Sequence, residues 1–230
     1  MTKTVVIHQP DFLPYIGFFH KLLIADLWIV YDDVQFLRRG WHHRDKIKNH
    51  HGEQWITVSI GKAPRETNIN QIKISSTELW KDKHLNLLKT SYSKSPYFSE
   101  IFPYIEQLYS KTYEKLIDLN MASITMLMKL FDITIKYEFS SQYPSAYRSN
   151  ERIIELLQNS EATHYLTGTG SESYLKVDLF DKANFKVIWQ QFTHPKYHQL
   201  HRDFIPNLSS IDLLLNCGIE QSRQILRGIR

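Results

Sequence analysis

Histidine, amide and proline side chains stand together near the start of the chain as His8-Gln9-Pro10, and Tyr15 and Gly17 follow shortly after. An imidazole can act as a general base, and an amide both donates and accepts hydrogen bonds. Prolines stiffen a loop, and a glycine near a helix start lets a ligand approach unpaired backbone N–H groups. The pattern predicts a small-molecule site in which His8 is a general base or an oxyanion donor. A rigid turn with a hydrogen-bonded histidine is the alternative.

Two adjacent carboxylates, Asp32 and Asp33, follow an apolar run over residues 28–31. Adjacent side chains at a strand end point in opposite directions, so we expect one of the two to face a site. That carboxylate would act as a general base or would bind an ammonium or hydroxyl group. A turn-forming pair of aspartates is the alternative.

Two cations, Arg44 and Lys48, lie four residues apart in a polar stretch that is rich in histidine. On a helix or in a tight turn they would share a face and hold a phosphate or carboxylate. The histidine pairs at 42–43 and 50–51 match no known metal-ligand spacing, because neighbouring side chains diverge. The sequence therefore predicts anion binding by Arg44 and Lys48 and no metal site. A solvated surface is the alternative.

Small residues follow a further short apolar run, in the order Tyr165-Leu-Thr-Gly168-Thr-Gly170-Ser. A turn of this composition can form an anion-binding nest of backbone N–H groups. It is neither a P-loop nor a complete dinucleotide fingerprint. Tyr165, Gly168 and Gly170 are predicted to contact substrate, and a plain turn is the alternative.

The last polar group consists of His194, Tyr197 and Gln199, followed by Ser209 and Asp212 at the start of an apolar run. Polar rings and an amide suit the recognition of a hydroxylated substrate. The spacing Ser209-x-x-Asp212 also fits a capping box. Asp212 is therefore expected either to contact substrate or to cap a helix.

These residues must be positioned by elements that hydrophobic periodicity predicts. Strands are expected at residues 3–8, 28–31, 55–60, 69–74, 133–139, 165–167 and 185–189. Helices are expected from residue 16, over 113–131 and over 150–159, with Ser75-x-x-Glu78 opening a helix that runs to about residue 92. A terminal helix begins near Ser209 and is interrupted at Gly218.

Alternation of strands and helices at both ends of the chain predicts an α/β fold with a mainly parallel sheet of Rossmann-like type. We expect residues 1–230 to form a single domain, with a largely helical insertion at about 76–131 in the middle of the chain. Ligands of such sheets bind at the carboxyl ends of the strands, where the strand order reverses. His8, the two aspartates and Gly168 all follow predicted strands, so we expect a shared site there.

Composition narrows the class of protein. Of the 230 residues, 42% are hydrophobic and 23% charged, which excludes intrinsic disorder as the main state. The net charge of +4 is a thin excess and argues against nucleic acid as the partner. A single cysteine, Cys217, excludes an internal disulfide framework, is expected to be a buried inert thiol, and fits a reducing cytoplasm. No apolar stretch is long enough to predict a membrane segment or signal peptide.

Together these segments resemble the WbqC-like protein family. The resemblance covers essentially the whole chain and is carried by IHQPDFLPYIGFFHKLLIADLWIVYDDVQF, WHHRDKIK, GEQWITVSI, THYLTGTGSESYL, FTHPKYHQL and LSSIDLLLNCGIE. Two positions depart from the family pattern, Tyr15 where tryptophan is common and His43 where asparagine is expected. Family members often belong to bacterial gene clusters for O-antigen and other surface polysaccharides. The resemblance implies a cytoplasmic enzyme that acts on a small or nucleotide-linked sugar.

The resemblance also implies transfer of glycine or another acyl group to an amino sugar or sugar nucleotide. In that reaction His8 would be the general base or the oxyanion donor, and Arg44 and Lys48 would hold a phosphate or carboxylate. Asp32 or Asp33 would orient the amine or His8. An ATP-dependent ligase or nucleotidyltransferase-like enzyme is an alternative, with Mg²⁺–ATP at the loops of His8 and Gly168. A non-catalytic glycan- or nucleic-acid-binding protein is a second alternative. The expected partners are the sugar and an acyl donor, and the sequence requires no cofactor.

Overall fold

The computed structural model describes residues 2–76, 79–201 and 203–228. Within these residues the chain divides into two compact units. The first unit contains Met1–Gln9, His20–Asp33 and Thr134–Thr193, and the second contains Pro10–Phe19, Val34–Ile133 and His194–Arg230. A single domain with a helical insertion at about 76–131 stays a prediction.

The described residues form seven strands: β1 (Thr4–His8), β2 (Leu27–Val30), β3 (Arg44–Asn49), β4 (Gly52–Thr57), β5 (Lys136–Phe139), β6 (His164–Thr167) and β7 (Lys186–Trp189). They also form seven α-helices: α1 (Ile16–Ile24), α2 (Trp80–Tyr92), α3 (Phe98–Ser110), α4 (Leu116–Phe131), α5 (Ser149–Asn159), α6 (Val177–Lys182) and α7 (Ser210–Leu226). This mixture confirms the predicted α/β fold class.

The first unit is built on a parallel sheet of five strands in the order β5-β2-β1-β6-β7. Its central strand, β1, contains the β-branched residues Val5 and Val6, which are fully buried, as expected for a strand covered on both faces. Along the chain, β2 and β5 are added on one side of β1, and β6 and β7 on the other. The strand order therefore reverses at β1 and β6, where sheets of this kind open a ligand crevice at the carboxyl ends of the strands.

The core of the first unit lies where α5 and α6 meet the sheet. Leu156 and Leu157 of α5 and Phe180 of α6 are fully buried against Val5 and its neighbours on the strands. Phe180 stacks on Tyr165 of β6 with a ring-centroid distance of 5.5 Å. Burial of each such side chain stabilises the fold by about 1.5–3 kcal/mol. The carboxyl ends of the strands are thus held on a packed scaffold.

The second unit combines the antiparallel hairpin β3–β4 with helices α2, α3, α4 and α7. The hairpin pairs Arg44 with Thr57 and Lys48 with Glu53. Helices α3 and α4 pack on α7, and each of the three helices contains fully buried leucines or isoleucines, such as Ile105, Leu127 and Leu214. The amphipathic pattern of each helix therefore finds its partner within the same unit.

One local prediction for the second unit is wrong, and the helix or tight turn considered for Arg44 and Lys48 does not form. Residues 44–49 form strand β3, and neither a helix nor a tight turn, because Asp45 and Ile47 alternate into the interior and Gly52 closes the hairpin with φ +112°. Residues 69–74 do not form a strand. They begin with a 3-10 turn over Ile69–Gln71, in which the Ile72 N–H donates to the carbonyl of Ile69 at 3.2 Å.

The interruption predicted at Gly218 is confirmed. Helical geometry in α7 breaks at this residue, whose φ is +73° and ψ is 176°. A Cβ atom at Gly218 would lie 2.6 Å from ring atoms of Tyr97, so the chain turns where only glycine fits.

Two boundary predictions can be compared with the helices directly. Helix α2 ends at Tyr92, as predicted, whereas Glu78 of the predicted capping box at Ser75 lies outside the described residues. Helix α4 begins at Leu116, three residues later than the predicted start at 113. In the part of the chain that the structure describes, no helix has both the length and the apolarity required to cross a membrane.

Candidate functional site

His8 is the last residue of β1 and lies at the carboxyl end of the parallel sheet, where the strand order reverses. The Nδ1 atom of His8 lies 2.8 Å from the carbonyl oxygen of Gln9. Because a carbonyl oxygen only accepts, Nδ1 carries the hydrogen in this contact, and the lone pair of the neutral ring is on Nε2. Trp28 Nε1 donates to the carbonyl of His8 at 3.2 Å and holds the strand end. An imidazole held in this tautomer can take a proton at Nε2.

Strand β6 delivers Gly168 to the same edge of the sheet. Val6 of β1 pairs with Leu166 of β6 in parallel register. His8 and Gly168 each lie two residues beyond this pair, at the ends of neighbouring strands. The structure therefore brings these two predicted residues to one sheet edge.

The turn after β6 is held by its own hydroxyl groups. Ser171 Oγ donates to the carbonyl of Gly168 at 2.8 Å, and Thr167 Oγ1 lies 2.9 Å from Ser171 Oγ. Residues Thr169–Ser171 form a 3-10 turn, and no other atoms lie within 4 Å of the position of a Cβ at Gly170. The turn at Gly168 and Gly170 is thus open and locally braced.

Tyr165, in contrast, belongs to the core. Its side chain is buried against Phe180, and burial raises the pKa of its phenol above the ordinary value. This placement favours a packing role over the predicted contact with substrate.

Two polar residues that were not predicted lie near Gly168, namely Lys21 on α1 and Gln190 directly after β7, and a third, His20 on α1, contacts Gln190. Lys21 is 5% exposed and Gln190 8% exposed. Gln190 Nε2 lies 3.1 Å from His20 Nδ1, and burial lowers the pKa of His20. The signal in the sequence is that two polar residues interrupt a helix that is otherwise apolar.

Asp32 and Asp33 are both engaged by protein groups. Asp32 accepts hydrogen bonds from Ser141 Oγ at 2.7 Å and from the Ser141 N–H at 3.0 Å. Asp33 accepts from Arg152 Nη2 at 3.0 Å, and Ser140 Oγ contacts both carboxylates. The prediction that the two side chains diverge is wrong, because both residues lie beyond the last residue of β2, where strand alternation no longer applies.

In the second unit, a hydrogen-bond network joins four predicted residues and one that was missed: Lys48, Tyr197, Gln199, Asp212 and Tyr92. The carboxylate of Asp212 is fully buried and accepts from Tyr92 Oη at 2.8 Å, from Tyr197 Oη at 2.8 Å and from Gln199 Nε2 at 3.0 Å. Burial raises the pKa of Asp212 despite these donors and the nearby Lys48 ammonium.

Lys48 connects this network to the loop that contains Asp203. Its Nζ donates to Gln199 Oε1 at 3.2 Å and to the carbonyl of Asp203 at 2.6 Å. Its backbone N–H donates to Tyr92 Oη at 2.9 Å, which directs the phenolic hydrogen toward Asp212. Hydrogen bonds therefore lead from the Lys48 ammonium through the Gln199 amide to the Asp212 carboxylate.

The predicted capping box at the start of α7 does not form. Ser209 occupies the N-cap position, but its Oγ donates to the carbonyl of Leu13 at 2.6 Å. The carboxylate of Asp212 is engaged by the two phenols and the amide instead. The side chains of Ser209 and Asp212 therefore bond to groups outside α7, and not to the backbone N–H groups at the start of the helix.

Arg44 engages different groups from Lys48. Its guanidinium carbon lies 4.2 Å from the ring centroid of Trp55, and its Nη2 donates to the carbonyl of Arg39 at 2.6 Å. Trp55 lies beside Trp41 with a centroid distance of 5.3 Å, and both rings are exposed. A shared anion site for Arg44 and Lys48 stays a prediction.

The start of α1 differs from the expectation. A Cβ atom at Gly17 would lie 2.3 Å from the ring of Tyr15. The phenol of Tyr15 therefore fills the space in which a ligand is predicted. A larger side chain at position 17 would clash with this ring, which explains why the residue is glycine. Burial raises the pKa of Tyr15, and the carbonyl of Pro10 accepts from Asn120 Nδ2 at 2.8 Å.

His194, in the second unit, contacts the carbonyl of the next residue through Nδ1, as His8 does in the first unit. Its Nδ1 lies 2.9 Å from the carbonyl of Pro195, which again leaves the lone pair of the neutral ring on Nε2. Its ring packs 6.2 Å from Tyr197 and 5.7 Å from Phe204, between centroids, and burial lowers its pKa. His194 thus lies beside the Asp212 network through Tyr197.

Cys217 is buried, as predicted. Burial and the nearby Asp212 raise the pKa of its thiol to about 11, so the thiol is protonated at neutral pH. It lines a pocket of about 380 Å³ together with Tyr97 and Gly218. No group of three or more histidine, cysteine or acidic residues that could hold a metal ion occurs within residues 2–76, 79–201 and 203–228.

The predicted site residues fall into two sets. The first unit holds His8, Gln9, Asp32, Asp33, Tyr165, Gly168 and Gly170. The second unit holds Pro10, Tyr15, Gly17, Arg44, Lys48, His194, Tyr197, Gln199 and Asp212. Their catalytic and binding roles stay predictions.

Comparison with known proteins gives two findings and one negative result. A family model described as "WbqC-like protein family" matches residues 9–224. A relative named "Uncharacterized protein Rv1507c", from Mycobacterium tuberculosis (strain ATCC 25618 / H37Rv), is 32% identical over 221 residues, which cover 95% of this chain and 95% of the relative. No solved structure matches the chain.

Proposed function

Because the chain belongs to the WbqC-like protein family, we propose that it is a cytoplasmic acyl- or aminoacyltransferase of the glycine-transferring kind. Its acceptor is an amino sugar or sugar nucleotide that is a precursor of a bacterial surface polysaccharide. The observation that carries the proposal is His8, whose Nδ1 bond to the Gln9 carbonyl sets Nε2 as the basic atom at the edge where the strand order reverses. A base in this position suits activation of an amine.

The proposed reaction balances without an oxidant or reductant. The amine nitrogen of the sugar attacks the carbonyl carbon of the acyl donor, and a C–N bond forms. The bond from that carbon to the leaving oxygen or sulfur of the donor breaks. His8 Nε2 accepts the proton that the amine loses and returns it to the leaving atom. Asp33, whose side chain is 23% exposed, is better placed than the buried Asp32 to orient the amine.

The experiment measures glycyl transfer from a glycyl thioester to a nucleoside-diphosphate-linked amino sugar, with the product detected by mass spectrometry. We expect His8→Ala to lower kcat/KM by about 10²–10⁴-fold, the usual contribution of a general base. The matched control is His164→Gln, because His164 begins β6 and lies at the opposite edge of the same sheet. A folded His8→Ala protein with full activity would remove His8 from the mechanism. Failure of every amine acceptor and acyl donor would argue against the transferase.

A second candidate function is ATP-dependent ligation or nucleotidyl transfer. It is favoured by the strand order β5-β2-β1-β6-β7, in which two parallel strands lie on each side of β1 and the order reverses next to it, as in the nucleotide-binding crevice of doubly wound folds. This function predicts Mg²⁺–ATP binding in calorimetry and release of pyrophosphate or phosphate in proportion to product. Absence of nucleotide binding, with and without amino sugar and glycine, would reject it.

A further inference from the structure

The reversal of strand order brings a buried cation next to Gly168. Lys21 is 5% exposed, which is uncommon for a lysine. Its Nζ lies 3.9 Å from the position that a Cβ atom would take on Gly168. An ammonium group in such surroundings is stabilised by acceptors or by negative charge placed beside it. An anion that reaches Gly168 would therefore meet a partly desolvated positive charge.

His20 fixes the orientation of the amide beside this cation. Gln190 Nε2 lies 3.1 Å from His20 Nδ1. Since an amide nitrogen only donates, Nδ1 is the acceptor and the hydrogen of the His20 ring is on Nε2. The other end of the amide, Gln190 Oε1, lies 3.8 Å from the Cβ position of Gly168. His20 Nε2–H and the Lys21 ammonium are thus both hydrogen-bond donors, and Gln190 fixes the tautomer of His20.

Gly168 contributes by having no side chain. Its φ of −85° is open to any residue, so backbone conformation does not require glycine here. A Cβ atom would meet Gln190 Oε1 and Lys21 Nζ at 3.8 and 3.9 Å, which are ordinary contact distances. The missing methyl group leaves room beside the ammonium, at the edge where parallel sheets bind phosphate-containing ligands.

We propose that Lys21, His20 and Gly168 form a subsite for a diphosphate group, with Gln190 as the positioning residue that holds His20. The proposal rests on the proposed function for the rest of the ligand, because it identifies the acceptor as a nucleoside-diphosphate sugar and not a free amino sugar. Lys21 contributes charge and His20 Nε2–H a directional hydrogen bond to the phosphate oxygens.

The test is isothermal titration of the full chain with inorganic pyrophosphate and with uridine diphosphate. Lys21→Met keeps the length and apolar stem of the side chain and removes the charge. We expect it to weaken binding of both anions by about tenfold or more, as for loss of a charge-assisted hydrogen bond. Lys182→Met on α6 is the matched control, because Lys182 is exposed in the same unit, and its affinities should equal those of the wild type.

Gly168→Ala keeps the proposal testable if Lys21→Met fails to fold. The added methyl group fits at ordinary distances but takes the space beside Nζ, so we expect weaker pyrophosphate binding with an unchanged melting temperature. Wild-type protein that binds neither anion, or variants that bind both as tightly as wild type, would overturn the subsite. Lys21-dependent pyrophosphate binding in a protein without transferase activity would overturn the proposed function and leave the subsite standing.

Discussion

Asp212 is a fully buried carboxyl group whose two oxygens accept hydrogen bonds from Tyr92, Tyr197 and Gln199. Burial raises its pKa, and the Lys48 ammonium favours the charged form. The acid is thus stabilised by Tyr92, which lies 120 residues away along the chain, and by Tyr197 and Gln199, which lie 15 and 13 residues away. Each partner in turn depends on the carboxylate, because a phenol or an amide N–H left unpaired in the interior is costly.

At this scale we predict that Asp212→Asn lowers the free energy of unfolding by about 2–4 kcal/mol. Asparagine has nearly the same shape, but its NH₂ group faces at least one donor and cannot accept from it. Tyr197→Phe removes one donor and leaves two, so its cost should be about 1 kcal/mol.

Urea unfolding at neutral pH measures both effects. The control is Asp178→Asn on α6, an exposed acid whose replacement should change stability by less than about 0.5 kcal/mol. Equal stability of Asp212→Asn and wild type would contradict an acceptor role for both carboxyl oxygens.

Among the elements, α7 is the one whose geometry depends on a single residue. Gly218 adopts φ +73° in the middle of the helix, and the ring of Tyr97 lies against its Cα. The kink allows Tyr97 to pack here and places Cys217 on the pocket beside it. A side chain at Gly218 would oppose both the backbone conformation and the packing of Tyr97.

We predict that Gly218→Ala costs about 1–3 kcal/mol for the backbone conformation, φ +73° and ψ 176°, and a further 1–3 kcal/mol for displacing the Tyr97 ring. Gly228→Ala is the matched control, because Gly228 has φ +70° and no atom within 4 Å of its Cβ position. The difference between the two variants in urea unfolding measures the contact with Tyr97 together with the strain of ψ 176° at Gly218. Equal costs would show that neither the ring nor this backbone conformation opposes the added methyl group.

At the scale of the whole molecule, three histidines make stability depend on pH. Burial lowers the pKa of His42, of His43 and of His84 to about 4, compared with 6.5 in an unfolded chain. Burial keeps His84 neutral, although the Thr57 carbonyl, which accepts from Nε2–H at 2.9 Å, favours the charged form. The Nδ1 atom of the neutral ring accepts from Tyr109 Oη at 3.0 Å. Between these two pKa values the unfolded state binds more protons than the folded state.

Their stabilising effect is therefore complete above pH 6.5 and is lost as the pH falls toward 4. We predict that each histidine lowers the free energy of unfolding by about 1.4 kcal/mol for every unit by which the pH falls within this window. Urea unfolding from pH 7.5 to 5 measures the slope. His84→Gln should reduce the slope by about one proton. A slope that His84→Gln does not alter would contradict the neutral buried state of His84.

Local sequence determined much of the scaffold. The β-branched run of β1, the apolar face of α1 and the glycine inside α7 act over a few residues, and their predictions are confirmed. The parallel sheet followed from the alternation of strands and helices. The position of His8 and Gly168 at strand ends was predictable for the same reason, since both depend on where a strand stops.

Tertiary structure alone decided which side chains meet. Tyr92 and Asp212 are 120 residues apart, and His20 and Gln190 are 170 residues apart, so no local pattern pairs them. Gly17 is required because the ring of Tyr15 packs against it. Ser209 and Asp212 do not form a capping box, because Ser209 bonds to Leu13 and Asp212 to Tyr197. Propensity and periodicity depend on near neighbours, whereas the partner of a buried polar group depends on strand register and helix packing, which no single segment encodes.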